Sequence, residues 1–479
     1  MSIGDTDFGV QVGIGFVGRV VTLLVAFLGS IFLARILGPV GYGSFYLLMA
    51  AVEFLDNPVT GWATACRKRL TEEGFPAGEA VGSTLVGIVV AAAVVAAGAW
   101  LAAPVVNAYA GGVPDAWLLL SVLFVGMASY ITTLEVLKAT AYFGASNWMM
   151  AARDIVRVLA QAALVLAGYG VAGMVGGIVF ANFVVVPVVI YLLVVTPELP
   201  SKDSLREVWS FAKSSIPNGV VGTAQNRMDV ILLGTLVGPG VVGNYEVALR
   251  MTMPAMFVAG VASGGLMGRV SNRRSRNEDV AVDIQNNVAY ASLVAIPLFF
   301  GALTIGGPVV VTIYSSQYAD AGAFIAGLAL FHLIRSQKTI LVSTIDGLDR
   351  PDLNLRVSIV VFALNLGLGI GLLLLVGPIG VVVATVISEA IAYAARAYLV
   401  RSLIPPVSFL PRPFVHQLAS GALMALVVCS VRQLISLGSW LNVALLVGLG
   451  GVVYVTTLLL VSEPLRGTIQ AVAVDAGLF

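Results

Sequence analysis

Charge is what this sequence has least of. Only 11% of its 479 residues are Asp, Glu, Lys or Arg, where soluble domains carry roughly a quarter. With 59% hydrophobic residues and a mean hydropathy of +0.98, the chain is expected to be solvated mostly by lipid. Its 26 basic residues offset 25 acidic ones, so it shows no basic footprint for nucleic acid. Cysteine and histidine are just as scarce. Cys66 and Cys429 lie far apart beside apolar runs, and His332 and His416 are isolated, which leaves neither a disulfide framework nor a metal site. No Walker A loop occurs, so ATP is not expected to drive the protein directly. Gly13-Ile-Gly15-Phe-Val-Gly18 matches the dinucleotide fingerprint, but it sits inside an apolar run with no strand before it. No cofactor is expected. No cluster of catalytic acids is visible, and the opening MSIGDTDFGV has acids where a secretory leader needs positive charge, so the first helix should be retained.

Apolar runs are what the sequence has in plenty. Fourteen are long enough to cross a bilayer at about 20 residues each. Six lie near 10–34, 43–65, 80–104, 117–140, 148–168 and 171–195, and six more near 214–236, 242–266, 287–306, 321–343, 354–376 and 378–400; two follow near 414–435 and 438–461. These predict an all-α polytopic membrane protein with four parts. Residues 1–195 form a first lobe, 196–213 a linker, 214–403 a second lobe, and 404–479 two further helices and a tail. In the linker, Leu205, Val208, Trp209 and Ala212 share one helical face, as in a helix lying on the membrane surface.

The two lobes echo each other. IFLARILGPVGYGSF (Ile31–Phe45) returns 200 residues later as ILLGTLVGPGVVGNY (Ile231–Tyr245), aligning Gly38-Pro39 with Gly238-Pro239 and Gly43 with Gly243. Proline cannot donate to a continuing helix and glycine tolerates a reversed backbone, so each copy reads as a tight turn between helices, and these six residues are candidate hinges. Six segments separate the copies, an even number, so the lobes should be parallel repeats about an axis along the membrane normal. Gly170-Val-Ala-Gly173 and Gly377-Pro-Ile-Gly380 open segments 6 and 12 in matching fashion, a spacing that lets helices approach closely. Basic residues such as Arg67, Lys68, Arg69, Lys202, Arg206, Arg273 and Arg401 follow even-numbered segments, while only Arg35 and Arg432 follow odd ones. The positive-inside bias then puts both termini in the cytoplasm.

An ionisable side chain at mid-bilayer costs roughly 2.5–3.5 kcal/mol on insertion scales, so it is retained only when paired, hydrated or functional. Arg19, Glu53, Asp56, Arg227, Asp229, Glu246 and Arg250 fall in segments 1, 2, 7 and 8, which flank the duplicated turns; Arg335, Lys338, Glu389 and Arg396 fall in segments 10 and 12. For Glu135, Lys138, Arg153, Asp154 and Arg157, near segment ends, ion pairing at the interface is the expectation. For Arg19, Arg227 and Arg250 two readings compete: neutralisation by the neighbouring carboxylates, or a hydrated central cavity whose guanidinium groups clamp an anionic head group. The cavity reading is preferred because pairing and lining a cavity are compatible. Carboxylates there could also take a coupling proton or sodium ion.

On LARILGPVGYGSF (Leu33–Phe45), SIPNGVVGTAQNRMDVILLG (Ser215–Gly234) and VGNYEVALRM (Val242–Met251), in this order and spacing, the chain resembles the polysaccharide flippase family of the multidrug/oligosaccharidyl-lipid/polysaccharide exporter superfamily. The resemblance implies two six-helix lobes that alternate between inward-open and outward-open states. It implies transport of lipid-linked sugars across the cytoplasmic membrane of a prokaryote, with glycan polymerases or transferases as potential partners. Arg227 and Asp229 fall on the family's Arg-x-Asp position, and Tyr245 with Arg250 on the following pattern. The first copy departs from it, with Phe27 and Ala50 where the second has Arg227 and Arg250. Head-group contact is therefore expected from Arg19, Arg227, Arg250, Tyr245 and Asn226, with Glu53, Asp56, Asp229 and Glu246 tuning charge or coupling an ion. The rival readings are a cation-coupled multidrug exporter of the same superfamily, a polytopic lipid-processing enzyme, and a membrane scaffold.

Overall fold

A computed structural model describes residues 8–463 and 466–467, apart from 73, 140–142, 193–194, 277, 405–406 and 436. Side chains at 8–21, 23, 143–148, 189 and 191–192 lie outside the described set, Arg19 among them. The described residues hold helices and turns and no strand. They divide into two compact units, Met1–Gly243 and Asn244–Phe479.

The first unit contains α1 (Phe8–Leu55), α2 (Asn57–Leu70), α3 (Ala77–Leu101), α4 (Ala103–Tyr109), α5 (Ala116–Ala139), α6 (Phe143–Leu164), α7 (Gly170–Leu192), α8 (Lys202–Leu236) and the opening of α9 (Pro239–Thr252). The second holds the rest of α9, then α10 (Phe257–Ser275), α11 (Ala281–Tyr290), α12 (Ala295–Tyr314), α13 (Gly322–Gly347), α14 (Pro351–Val376), α15 (Ile379–Leu403), α16 (Arg412–Arg432) and α17 (Trp440–Val461).

Among the described residues seventeen helices stand for the fourteen predicted segments, and proline and glycine mark several of the breaks. Segments 1 and 2 meet inside α1 at Gly38, whose φ of 66° and ψ of 174° break the helical path just before Pro39. In the second copy Gly238 stands at φ 134° and Pro239 opens α9. Glycine alone adopts such angles without a Cβ penalty, and proline at a first helical turn gives up an N–H that had no partner there. Segment 2 breaks again at Asp56, before Asn57-Pro58 begin α2. Segment 8 divides into α9 and α10 around a tight turn, Met253–Met256, that contains Pro254.

Eleven stretches among the described residues are long and apolar enough to cross a membrane. Leu24–Leu55 and Met149–Val188 each hold two predicted segments, and α8 is too polar to be counted. The exterior confirms the solvent. Only 11% of the most apolar window of α14 is buried, and Leu374, Leu375, Val89, Val94 and Leu445 all point outward. Such faces require lipid, in which the helix itself must satisfy the backbone.

The expected surface linker is not a separate element. Ser201 caps α8 by accepting from the Ser204 amide at 3.2 Å, and the helix then runs 35 residues through Pro217 into segment 7. Packing explains why it continues. Val208 and Ala212 bury against Ala65 and Cys66 of α2, and Arg69 donates to the Glu207 carbonyl at 3.1 Å and to Ser210 Oγ at 2.9 Å. Contacts on both sides of Pro217 outweigh the single hydrogen bond it deletes.

The matched openings of segments 6 and 12 carry the same packing in each unit. A Cβ on Gly173 would lie 3.0 Å from the Leu164 backbone, and one on Gly380 would collide with the Leu372 carbonyl. Each glycine lets its helix close on the preceding one, α7 on α6 and α15 on α14.

Candidate functional site

The first unit sets α8 against the end of α1 and the start of α2. Gly61 leaves room for Ile216, whose Cγ1 would stand 2.6 Å from a Cβ there. With the helices this close, two rungs join them. Arg227 Nε donates to Glu53 Oε2 at 2.5 Å and Arg227 Nη2 to Glu53 Oε1 at 2.6 Å. One turn along, Thr223 Oγ1 donates to Asn57 Oδ1 at 3.1 Å, while Asn57 Nδ2 donates to the Glu53 and Phe54 carbonyls at 2.9 and 3.1 Å. Glu53 with Asn57, and Thr223 with Arg227, are four residues apart and share a helix face.

The Arg227–Glu53 contact is a fork-to-fork pair, the strong geometry for guanidinium and carboxylate. It is also not sealed: the Arg227 side chain is 20% and the Glu53 side chain 27% exposed. Asp56 is buried and accepts from Thr60 Oγ1 at 3.2 Å, while its Oδ1 has no hydrogen-bond partner among the described residues. Asn226 is exposed and Asp229 buried.

In the second unit α9 pairs Glu246 with Arg250, Oε2 to Nε at 3.7 Å; Glu246 is 1% exposed and Arg250 29%. Tyr245 is a packing residue, 3% exposed with its ring edge-on to Phe324 at 6.2 Å between centroids. Deeper in the unit Lys338 Nζ lies 2.5 Å from Glu389 Oε1. Arg396 donates to Asn354 Oδ1 and Ser358 Oγ at 2.9 Å, and Asn354 Nδ2 donates to Asp346 Oδ1 at 2.7 Å. Arg335 lies over the Phe331 ring at 5.3 Å.

The residues expected to pair at segment ends do so. Glu135 holds Arg67 at 2.5 Å and Lys138 at 2.7 Å, and Asp154 holds Arg153 at 2.9 Å and Arg157 at 3.4 Å. Arg19 lies on α1, its side chain outside the described set. Sequence reasoning missed Asn57, Thr223 and Asn354, which are uncharged. Their four-residue spacing from Glu53, Arg227 and Ser358 was the signal that could have found them. Among the described residues no group of His, Cys, Asp or Glu could hold a metal ion.

Residues 32–323 match the family described as "Polysaccharide biosynthesis protein". The chain belongs to that family. Two curated proteins of Haloferax volcanii are similar to it along nearly their whole length. The "Probable low-salt glycan biosynthesis flippase Agl15" is 25% identical over 456 residues, 95% of this chain and 96% of that protein. The "Probable flippase AglR" is 25% identical over 476 residues, 97% of this chain and 96% of that protein. Among solved structures, the lipid II flippase MurJ in an inward closed conformation gives a TM-score of 0.79 at 13% identity, covering 93% of this chain and 98% of its own. An inward-facing multidrug resistance MATE transporter of the MOP superfamily gives 0.66 at 14% identity, covering 80% and 94%. At those identities the likeness establishes the fold, a multi-pass helical membrane protein of the kind shared by MurJ and the MATE transporters.

Proposed function

We propose that this protein is a flippase: a transporter, not an enzyme, that carries a lipid-linked sugar across a membrane for glycan assembly. Two full-length relatives are named as flippases, which supports this over the drug-exporter reading that the fold alone would allow. The membrane proposed is the cytoplasmic membrane of a prokaryote, with both termini inside.

The physical task is to move a sugar-phosphate head group through hydrocarbon, where every polar atom would lose its water. Arg227 carries the proposal. Its guanidinium sits on α8, is aimed by Glu53 through two hydrogen bonds and still keeps 20% of its surface open. A guanidinium placed in this way offers a planar fork of donors that a phosphate can take over from Glu53. Arg250, held by Glu246 on α9, and Arg19 are proposed as further cationic contacts, with Asn226 nearby on α8. Tyr245 serves this reading by packing against Phe324 to position α9.

Glu53 is then the natural coupling group. When it takes a proton its hold on Arg227 weakens and the guanidinium turns to the phosphate; when it loses the proton it competes the phosphate away. Glu246 pairs with Arg250 within α9, and Asp56 and Asp229 are proposed to tune charge in the first unit. Alternating exposure of the site, with Gly38-Pro39 and Gly238-Pro239 as hinges, moves the head group while its lipid tail stays in the bilayer. The test is surface glycan display in cells carrying Arg227→Ala or Arg250→Ala at normal protein levels. Loss of display is expected, and undiminished display from both variants overturns the proposal.

A further inference from the structure

Beside the basic last turn of α2, residues of α2, α5 and α8 border an open cavity of about 490 Å³ lined by Thr64, Arg67, Lys68, Thr71, Lys138 and Phe211. Sites for small ligands typically span about 300–1,000 Å³. The bland explanation for these cations is that Arg67, Lys68 and Arg69 sit in the last turn of α2, where positive charge complements the helix carbonyls. The charges do not balance on that basis alone. Arg67 and Lys138 share one carboxylate, Glu135, while Glu72 lies 2.5 Å from Arg69 and 3.8 Å from Lys68. Among the described residues, four cations therefore face two carboxylates.

Arg69 is committed to the scaffold, since its other nitrogen ties α8 through Glu207 and Ser210. The surplus thus falls on the cavity, where Arg67 is 40%, Lys68 48% and Lys138 27% exposed. Lys68 Nζ stands 4.6 Å over the Phe211 ring, an aromatic wall beside the cationic one. Trp209, two residues earlier on α8, is exposed, and tryptophan marks the level of lipid head groups.

We infer that this cavity binds the phosphate of an anionic membrane lipid, clamped by Lys68, Lys138 and Arg67 with Phe211 against its glycerol stem. Basic pockets between membrane helices on the positively charged side are suited to such head groups. A lipid held there bridges α2, α5 and α8, and α8 carries Arg227 farther along. The inference uses the proposed orientation but not the transport reading, and a binding assay separates the two.

The experiment titrates the purified full-length protein with fluorescent phosphatidylglycerol, using phosphatidylcholine as the uncharged comparison. Wild type is expected to prefer phosphatidylglycerol. At roughly fivefold per lysine, Lys68→Ala with Lys138→Ala is expected to weaken binding by about thirtyfold, whereas Lys68→Arg with Lys138→Arg keeps it. Lys202→Ala with Arg206→Ala removes equal charge from exposed positions outside the cavity and should leave affinity unchanged. Should the double lysine variant fail to fold, Lys68→Gln alone carries the test with a loss of about fivefold. Unaltered binding in the folded lysine variants overturns the inference, as does an equal loss in the Lys202/Arg206 variant, which would mean diffuse surface attraction. Displacement of the lipid by inorganic phosphate at equal concentration assigns the site to a soluble anion and overturns the lipid assignment.

Discussion

Gly43 and Gly243 lie back to back, so close that a Cβ on Gly43 would stand 2.8 Å from the Gly243 amide nitrogen and collide with the Pro239 carbonyl. The relationship is reciprocal: a Cβ on Gly243 would stand 2.9 Å from Pro39 Cα and collide with the Pro39 carbonyl. The Gly-Pro turns press backbone on backbone, and any side chain at either glycine pushes them apart.

Gly43→Ala and Gly243→Ala are each expected to lower stability by about 1–3 kcal/mol, the usual cost of overpacking. Gly222→Ala in α8, where a Cβ meets nothing within 4 Å, should be neutral or stabilising by up to ~1 kcal/mol. Thermal unfolding of the purified protein distinguishes the two outcomes.

Arg227→Lys should reduce transport by roughly tenfold or more, because an ammonium cannot reproduce the two-point contact with Glu53 and a charged hydrogen bond contributes about 1.5–3 kcal/mol. Glu53→Gln keeps the shape and removes the charge that competes for Arg227. Its transport in proteoliposomes should lose dependence on an imposed pH gradient, and a variant as gradient-dependent as wild type would rule Glu53 out as the coupling group.

The Asn57–Thr223 rung can be measured on its own. Asn57→Ala strands the Thr223 hydroxyl and removes bonds to two carbonyls, at an expected cost of about 1–3 kcal/mol. Thr223→Val costs less, and the double variant should cost less than the sum of the singles, since both remove one contact.

Lys338 and Glu389 form a largely buried pair, and breaking it from one side removes the nearest compensating charge. Lys338→Met or Glu389→Leu alone should destabilise by about 3–5 kcal/mol, while the double substitution recovers most of that loss. Equal costs for single and double variants in a denaturation series would contradict the pairing.

Much of the architecture was legible because its signals are local. Gly38 and Gly238 mark breaks whose positive φ the structure displays, and Gly173 and Gly380 mark close helix approaches. The amphipathic stretch 196–213 reads as a separate surface helix, since sequence does not reveal that Val208 and Ala212 are anchored on α2. Tyr245 is expected at the head group because the family resemblance sets it with Arg250 in one pattern, whereas in the structure its ring packs on Phe324.

The amino-acid sequence alone determined the solvent, the run of membrane segments, the duplicated turn and the positions of the charges, because hydropathy, proline and glycine act within one or two helical turns. Only the tertiary structure decided which charge meets which. That Arg227 grips Glu53, 174 positions away, and that Arg67, Lys68 and Lys138 border one cavity, depends on how each helix is rotated about its axis. That rotation is set by the small residues through which neighbouring helices pack, and no local pattern encodes it.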